Sequence, residues 1–127
     1  MKEIVTSKDA PAAIGPYSQA IKIKAQTLMF VSGQIPMNPW TNELKTANID
    51  EQVHQVIQNL TKILEKGKSS LDKVVKTTIY LTNMGDFARV NEIYSQYFKV
   101  NPPARACVQV SALPKGVNVE IDAVAYI

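Results

Sequence analysis

The sequence predicts a single-domain α+β fold: a mixed β-sheet with two α-helices packed on one face. Three observations carry that prediction. Residues 48–67 hold one apolar stripe at helical spacing, and residues 83–101 hold a second. Short runs rich in branched and aromatic residues surround them, bounded by Gly, Pro and Asn. The chain has 127 residues, one domain's worth, with no repeat, linker or low-complexity segment, so a single domain over 1–127 is expected.

Lys2 to Thr6 reads as a short edge strand, and residues 7–19 read as loop because Pro11, Gly15 and Pro16 break any regular pattern. Ala20–Lys24 and Leu28–Ser32 read as the two arms of a hairpin across Ala25-Gln26-Thr27. Gly33 to Asn48, with Pro36 and Pro39, is a long irregular stretch. In the first helix the stripe is Ile49, Val53, Val56, Ile57, Leu60, Ile63 and Leu64. Asn48 with Glu51 resembles a capping box, and Gly67 is the expected stop. Val74–Leu81 reads as a central strand. Asn83 with Asp86 opens the second helix, whose stripe is Phe87, Val90, Tyr94, Tyr97 and Phe98, and Asn101-Pro102-Pro103 ends it. Arg105–Val110 and Val117–Ile127 are expected as a closing hairpin joined by Leu113-Pro114-Lys115-Gly116. The helices cover one face of the sheet. Apolar residues on both faces of the strands lead us to expect that the second face is covered too, by self-association.

Composition narrows the function. No apolar run approaches the ~20 residues of a membrane span. The N-terminus lacks a signal-peptide or transit-peptide pattern, so a cytoplasmic location is expected. One cysteine, Cys107, allows no internal disulfide, and with one histidine, His54, no zinc or iron–sulfur centre is expected. The net charge is +3, the lysines are scattered, and Arg89 and Arg105 are the two arginines, so nucleic acid is not the expected partner. There is no P-loop and no dinucleotide-binding glycine pattern, and no cofactor is implied.

The polar residues leave two readings open. If the two closing strands pair, their apolar sets (Ala106, Val108, Val110 and Val119, Ile121, Ala123) share one side of the sheet. Arg105 and Cys107 then share the other with Glu120 and Asp122. That is either a structural ion pair or a small-anion site, with Arg105 forking a carboxylate and Glu120 handling a proton or water. His54 falls beside the helix stripe and reads as solvated surface. Cys107 has no second histidine to activate it and reads as a small buried hydrophobe. Tyr17, Ser32 and Gly33 read as turn or packing residues, Asn91 as helix surface or interface, and Trp40 as a loop aromatic.

Several motifs then occur in order along nearly the whole chain: Ala10–Ala20 (APAAIGPYSQA), Val31–Pro36 (VSGQIP), Val74–Leu81 (VVKTTIYL), Phe87–Tyr94 (FARVNEIY), Pro103–Val108 (PARACV), Leu113-Pro114-Lys115 and Val119-Glu120-Ile121. Together they closely resemble the YjgF/YER057c-type family, whose best-known members are the reactive intermediate/imine deaminases. The resemblance implies a chorismate-mutase-like fold and a homotrimer with a barrel-like centre and a cleft at each subunit interface. It implies hydrolysis of 2-aminoacrylate, 2-aminocrotonate and related enamine/imine acids to 2-oxo acids and ammonia. Pyridoxal-phosphate-dependent serine and threonine dehydratases release such compounds. By match to the motifs, Arg105 holds the substrate carboxylate and Glu120 positions or activates water. Tyr17 lines the cleft from the adjacent subunit, Ser32 and Gly33 shape its floor, Asn91 supports it, and Cys107 contributes through its backbone. Thr41-Asn42 departs from the family's usual Thr-Gly turn, and Asn tolerates the same left-handed backbone. The family has also been described through regulators, translation inhibitors, ribonucleases and chaperone-like proteins. The Arg105/Glu120 pair favours the deaminase over these.

Overall fold

The computed structural model describes residues 2–127. The elements run β1 (Lys2–Val5), β2 (Ala20–Ile23), β3 (Leu28–Gln34), α1 (Ile49–Lys66), β4 (Val74–Leu81), α2 (Phe87–Tyr97), β5 (Ala104–Gln109) and β6 (Val119–Tyr126). This is the mixed α+β fold that the stripe pattern predicts.

Helix α1 starts where its cap residue says it should. The Asn48 side chain accepts the Glu51 N–H at 2.9 Å, with Asp50 and Glu51 in the positive first turn. It stops at Gly67, as expected, but the left-handed turn comes one residue later. Gly67 keeps an ordinary φ of −83°, and Lys68 is the left-handed residue, with φ 66°. The N–H groups of Lys68 and Ser69 return to the carbonyls of Glu65 and Leu64, which caps the helix. Gly67 packs against the end of the Met29 side chain: a Cβ there would lie 2.5 Å from the Met29 sulfur, which would have to move. A 3-10 turn, Met84–Asp86, precedes α2, and the Asn83 side chain caps that turn rather than the helix.

The strands pair differently from the expectation at both ends of the chain. β2 pairs antiparallel with β1, not with β3, so the first two strands form a separate ribbon. The remaining four form one sheet in the order β3-β6-β4-β5. β4 lies between β5 and β6, so no closing hairpin exists. The Val110–Asn118 connection is too long for a tight hairpin and passes the end of β4. There the Val110 N–H bonds the Leu81 carbonyl at 2.8 Å, and the Thr82 N–H bonds the Asn118 carbonyl at 3.2 Å. β4 and β5 are parallel, and α2 supplies the crossover that such a pair needs.

This topology reverses a facing relation. Thr77 of β4 is in register with Arg105 on one side and Ala123 on the other, and Tyr80 is in register with Val108 and Glu120. Arg105 and Cys107 therefore face the helices with Ile121 and Ala123. Glu120 and Asp122 face the opposite way with Ala106 and Val108.

The core fills the space between helices and sheet. Val53, Ile57, Leu60 and Leu64 of α1 and Val90, Ile93 and Tyr94 of α2 meet Val74, Ile79, Leu81, Val119, Ile121 and Ala125. Burial of one such aliphatic side chain contributes roughly 1.5–3 kcal/mol. Buried polar groups are paired: Gln52 exchanges two hydrogen bonds with Asn118, at 2.8 and 2.9 Å. The other face of the sheet is uncovered within one chain. Phe30 is 74% exposed with Leu28 exposed beside it on β3, and Val108 is exposed at the opposite edge of the same face. Among the described residues, no helix is long and apolar enough to cross a membrane.

Candidate functional site

Arg105 enters at the start of β5, directly after Pro102-Pro103. The prolines lack N–H groups, and their carbonyls hold the N-terminal loop. Ser18 donates its N–H to Pro103 at 3.2 Å and its hydroxyl to Pro102 at 2.5 Å. That anchorage brings Tyr17 over Arg105. Three rings surround the guanidinium carbon: Tyr94 at 5.2 Å, Tyr17 at 5.4 Å and Phe87 at 5.7 Å. Each lies within the range of a cation–π contact. Arg105 Nη1 donates to Asn91 Oδ1 at 2.6 Å. No carboxylate of the described residues forms an ion pair with Arg105. The cation is thus held by faces and one amide, and its remaining N–H edge can take an anion.

The cage is fixed from below. The fully buried Tyr94 hydroxyl pairs with the Thr77 hydroxyl at 2.8 Å. Burial pushes the Tyr94 phenol up to about 12, so it stays neutral. Cys107, two residues along the same face, is half-buried. Burial pushes its thiol up, and the Arg105 charge pulls it back in part. It is therefore no preformed thiolate.

Glu120 lies on the other face. Its carboxylate rests on Gly33, where a Cβ would come within 2.7 Å of the Glu120 Cδ. Gly33 and Ser32 sit in a bulge of β3, between the Val31–Ala123 and Gln34–Ile121 pairs. Beside Glu120, Asp122 accepts the Thr78 N–H at 3.1 Å and the Tyr80 hydroxyl at 3.2 Å. The Asp122 charge, followed by desolvation, raises the Tyr80 phenol above its ordinary value.

The sequence-predicted residues thus form two groups. Arg105, Asn91, Tyr17 and Cys107 gather on the helix side of the sheet; Glu120, Ser32 and Gly33 gather on the open side. Within one chain the expected convergence of Arg105 and Glu120 does not occur, because β4 separates their strands. Tyr17 contacts the Arg105 of its own chain. His54 is not simply solvated: its Nδ1 lies 2.5 Å from the Tyr97 hydroxyl. Trp40 is 87% exposed and borders a groove of about 500 Å³ that contains neither Arg105 nor Glu120. No group of three metal-ligating side chains exists among the described residues. Sequence reasoning missed Phe87, Tyr94 and Thr77 as parts of the cage. The signal was Asn91, a polar residue placed between Phe87 and Tyr94 on one helix face.

Fold and fork together define a class: a small α+β domain with a preorganised anion fork at the start of a strand. The chain belongs to the YjgF/RidA family, matching the family model described as "Endoribonuclease L-PSP" over residues 7–127. It is 49% identical over 126 residues to a RutC family protein of Pyrococcus horikoshii, covering 99% of this chain and 98% of that one. It is 45% identical over 125 residues to the 2-iminobutanoate/2-iminopropanoate deaminase of Homo sapiens, covering 98% and 90%. Among solved structures it is similar to E. coli TdcF with bound serine, with a TM-score of 0.76, 37% identity and 98% of each chain covered.

Proposed function

We propose that this protein is a hydrolytic deaminase of small enamine and imine carboxylates, such as 2-aminoacrylate and 2-aminocrotonate, releasing 2-oxo acids and ammonia. The observation that carries the reading is the Arg105 fork, ring-caged and free of any protein carboxylate. A relative at 45% identity named as an imine deaminase supports it, as does a similar structure with serine, an α-amino carboxylate, bound.

The chemistry needs few groups. The enamine tautomerises to the imine, and protonation of the imine nitrogen makes its carbon electrophilic. Water adds with loss of a proton to a base, and the carbinolamine expels ammonia to leave the oxo acid. Arg105 fixes the carboxylate and hence the imine carbon, and Glu120 takes the proton of the attacking water. Such imines already hydrolyse in water, so orientation and one proton acceptor suffice.

The two groups on opposite faces of one sheet support a site shared between copies. The uncovered face, with Phe30, Leu28 and Val108, supports the same assembly. In this reading a homotrimer brings the Glu120 face of one subunit against the Arg105 cage of another. The pyridoxal-phosphate-dependent serine and threonine dehydratases supply the substrate, and the cytoplasm is where both act.

The test is oxo-acid release in a coupled assay. A serine or threonine dehydratase generates the imine, with semicarbazide as competitor. Faster oxo-acid formation and less semicarbazone, both lost in Arg105→Ala, is the expected result. No acceleration by a folded protein refutes the reading. Ribonuclease activity, which the family model's description names, is assayed on the same preparations; RNA cleavage that depends on Arg105 would favour that description instead.

A further inference from the structure

Arg105 is long and flexible, and among its contacts Tyr94 ties it to the fully buried interior. Tyr94 presents its ring 5.2 Å from the guanidinium carbon. Its hydroxyl is sealed in the interior on Thr77, 2.8 Å away. Thr77 is the residue of β4 in register with Arg105 itself. The three residues form a closed triangle: strand partner to strand partner, hydroxyl to hydroxyl, ring face to cation. Core packing alone would accept phenylalanine at position 94, as the tilted stacking of Tyr94 on Phe98 uses only the ring, at 4.4 Å. The hydroxyl adds a fixed distance between α2 and the sheet at the point where Arg105 emerges. By contrast, Tyr17 comes from the N-terminal loop and Phe87 from the first position of α2.

We propose that Tyr94, set by Thr77, is a positioning residue that holds the Arg105 fork for a single carboxylate. Asn91 takes one Nη of the fork, and the rings cover the guanidinium, so one planar N–H edge remains for ligand. A fork held in place loses less freedom when it binds. The ring's removal therefore weakens carboxylate binding and leaves the later chemical step nearly unchanged. The inference rests on the deaminase reading for its substrate but not for its physics.

The experiment uses 2-oxobutanoate as probe, with binding followed by calorimetry and turnover by kcat and KM. The order of the Arg105 Nε–H is read by NMR relaxation. Tyr94→Leu is expected to raise Kd and KM about tenfold, the size of a cation–π contact, with kcat within about threefold. Tyr94→Phe keeps the ring but loses the hydroxyl bond to Thr77, and is expected to raise Kd and KM only about threefold, as Thr77→Val does, while melting lower. Thr77→Val is expected to loosen the Arg105 Nε–H and raise KM about threefold, and Thr77→Ser to restore both. These two keep the ring and hold the proposal testable if Tyr94→Leu does not fold. A folded Tyr94→Leu with unchanged Kd and KM overturns the proposal. So does a Thr77→Val with wild-type Arg105 order and KM. The deaminase reading fails separately, through wild-type protein that binds no 2-oxobutanoate or through Arg105→Ala that binds it equally well.

Discussion

The two faces of the sheet carry the two halves of the proposed site and are built in opposite ways. On the helix side, Arg105 stands against α2 and the N-terminal loop, with three rings and an amide fixing its position. On the open side, Glu120 rests on a glycine bulge beside exposed apolar residues. The first half is finished by the fold of one chain. Under the proposed function, the second gains its enclosure when another copy covers it, so the binding group should be robust to assembly and the proton-handling group sensitive to it.

The largest effect should come from breaking the finished half. Arg105→Ala is expected to reduce kcat/KM at least a hundredfold, from loss of paired charge-assisted hydrogen bonds, while the circular dichroism spectrum stays native. Arg105→Lys should fail nearly as badly, because one ammonium cannot reproduce the planar fork. Equal activity of the lysine variant would show that charge alone suffices.

Gly33→Ala attacks the unfinished half. Its Cβ overlaps the Glu120 carboxylate, which must move. We expect kcat to fall ten- to a hundredfold, a partial loss of the roughly 10²–10⁴-fold that a general base contributes, with KM and melting temperature little changed. A fall in KM-dependent binding instead would place Gly33 beside the carboxylate fork.

A smaller effect separates cage from stability. Thr77→Val leaves the buried Tyr94 hydroxyl without its partner, costing about 1–3 kcal/mol. Urea unfolding should show this as a lower midpoint at an unchanged slope. The smallest effect lies outside both halves. Hydrogen bonding and charge from Arg89 lower the Asp50 carboxyl below its ordinary value. A depressed carboxyl contributes stability above its unfolded pKa and loses it as pH falls through the folded one. Asp50 is exposed, so the effect is screened. Thermal melts of Arg89→Ala and wild type should differ slightly at neutral pH and converge in acid.

How much of this was legible in the sequence depends on the range of the signal. Helix α1 was readable from Asn48 to Lys66, because capping and periodicity are local. Its stop at Gly67 was readable too, whereas the left-handed turn at Lys68 and the packing of Gly67 against Met29, a contact between distant segments, were not. The elements of the sheet were readable, but their neighbours were not. β5 and β6 are adjacent in sequence and each has a plausible hairpin pattern; only the path of α2, which makes β4 and β5 parallel, separates them. The site residues were named through family motifs, and Asn91 and Arg105 do meet. That Arg105 and Glu120 face apart is a consequence of strand order, which residue alternation within each strand cannot reveal. The cage residues Phe87 and Tyr94 looked like core because a ring that packs and a ring that holds a cation leave the same periodic trace.

In the proposed assembly one working site takes Arg105 from one copy and Glu120 from another. Co-expressing differently tagged Arg105→Ala and Glu120→Gln chains, and isolating the mixed oligomer, tests it most directly. Each variant alone should be inactive. In the isolated mixed trimer about one site in three should combine an intact Arg105 with an intact Glu120, and oxo-acid release should recover in that proportion. A mixed oligomer as inactive as its parents would show that each chain must supply both residues itself, contradicting the account.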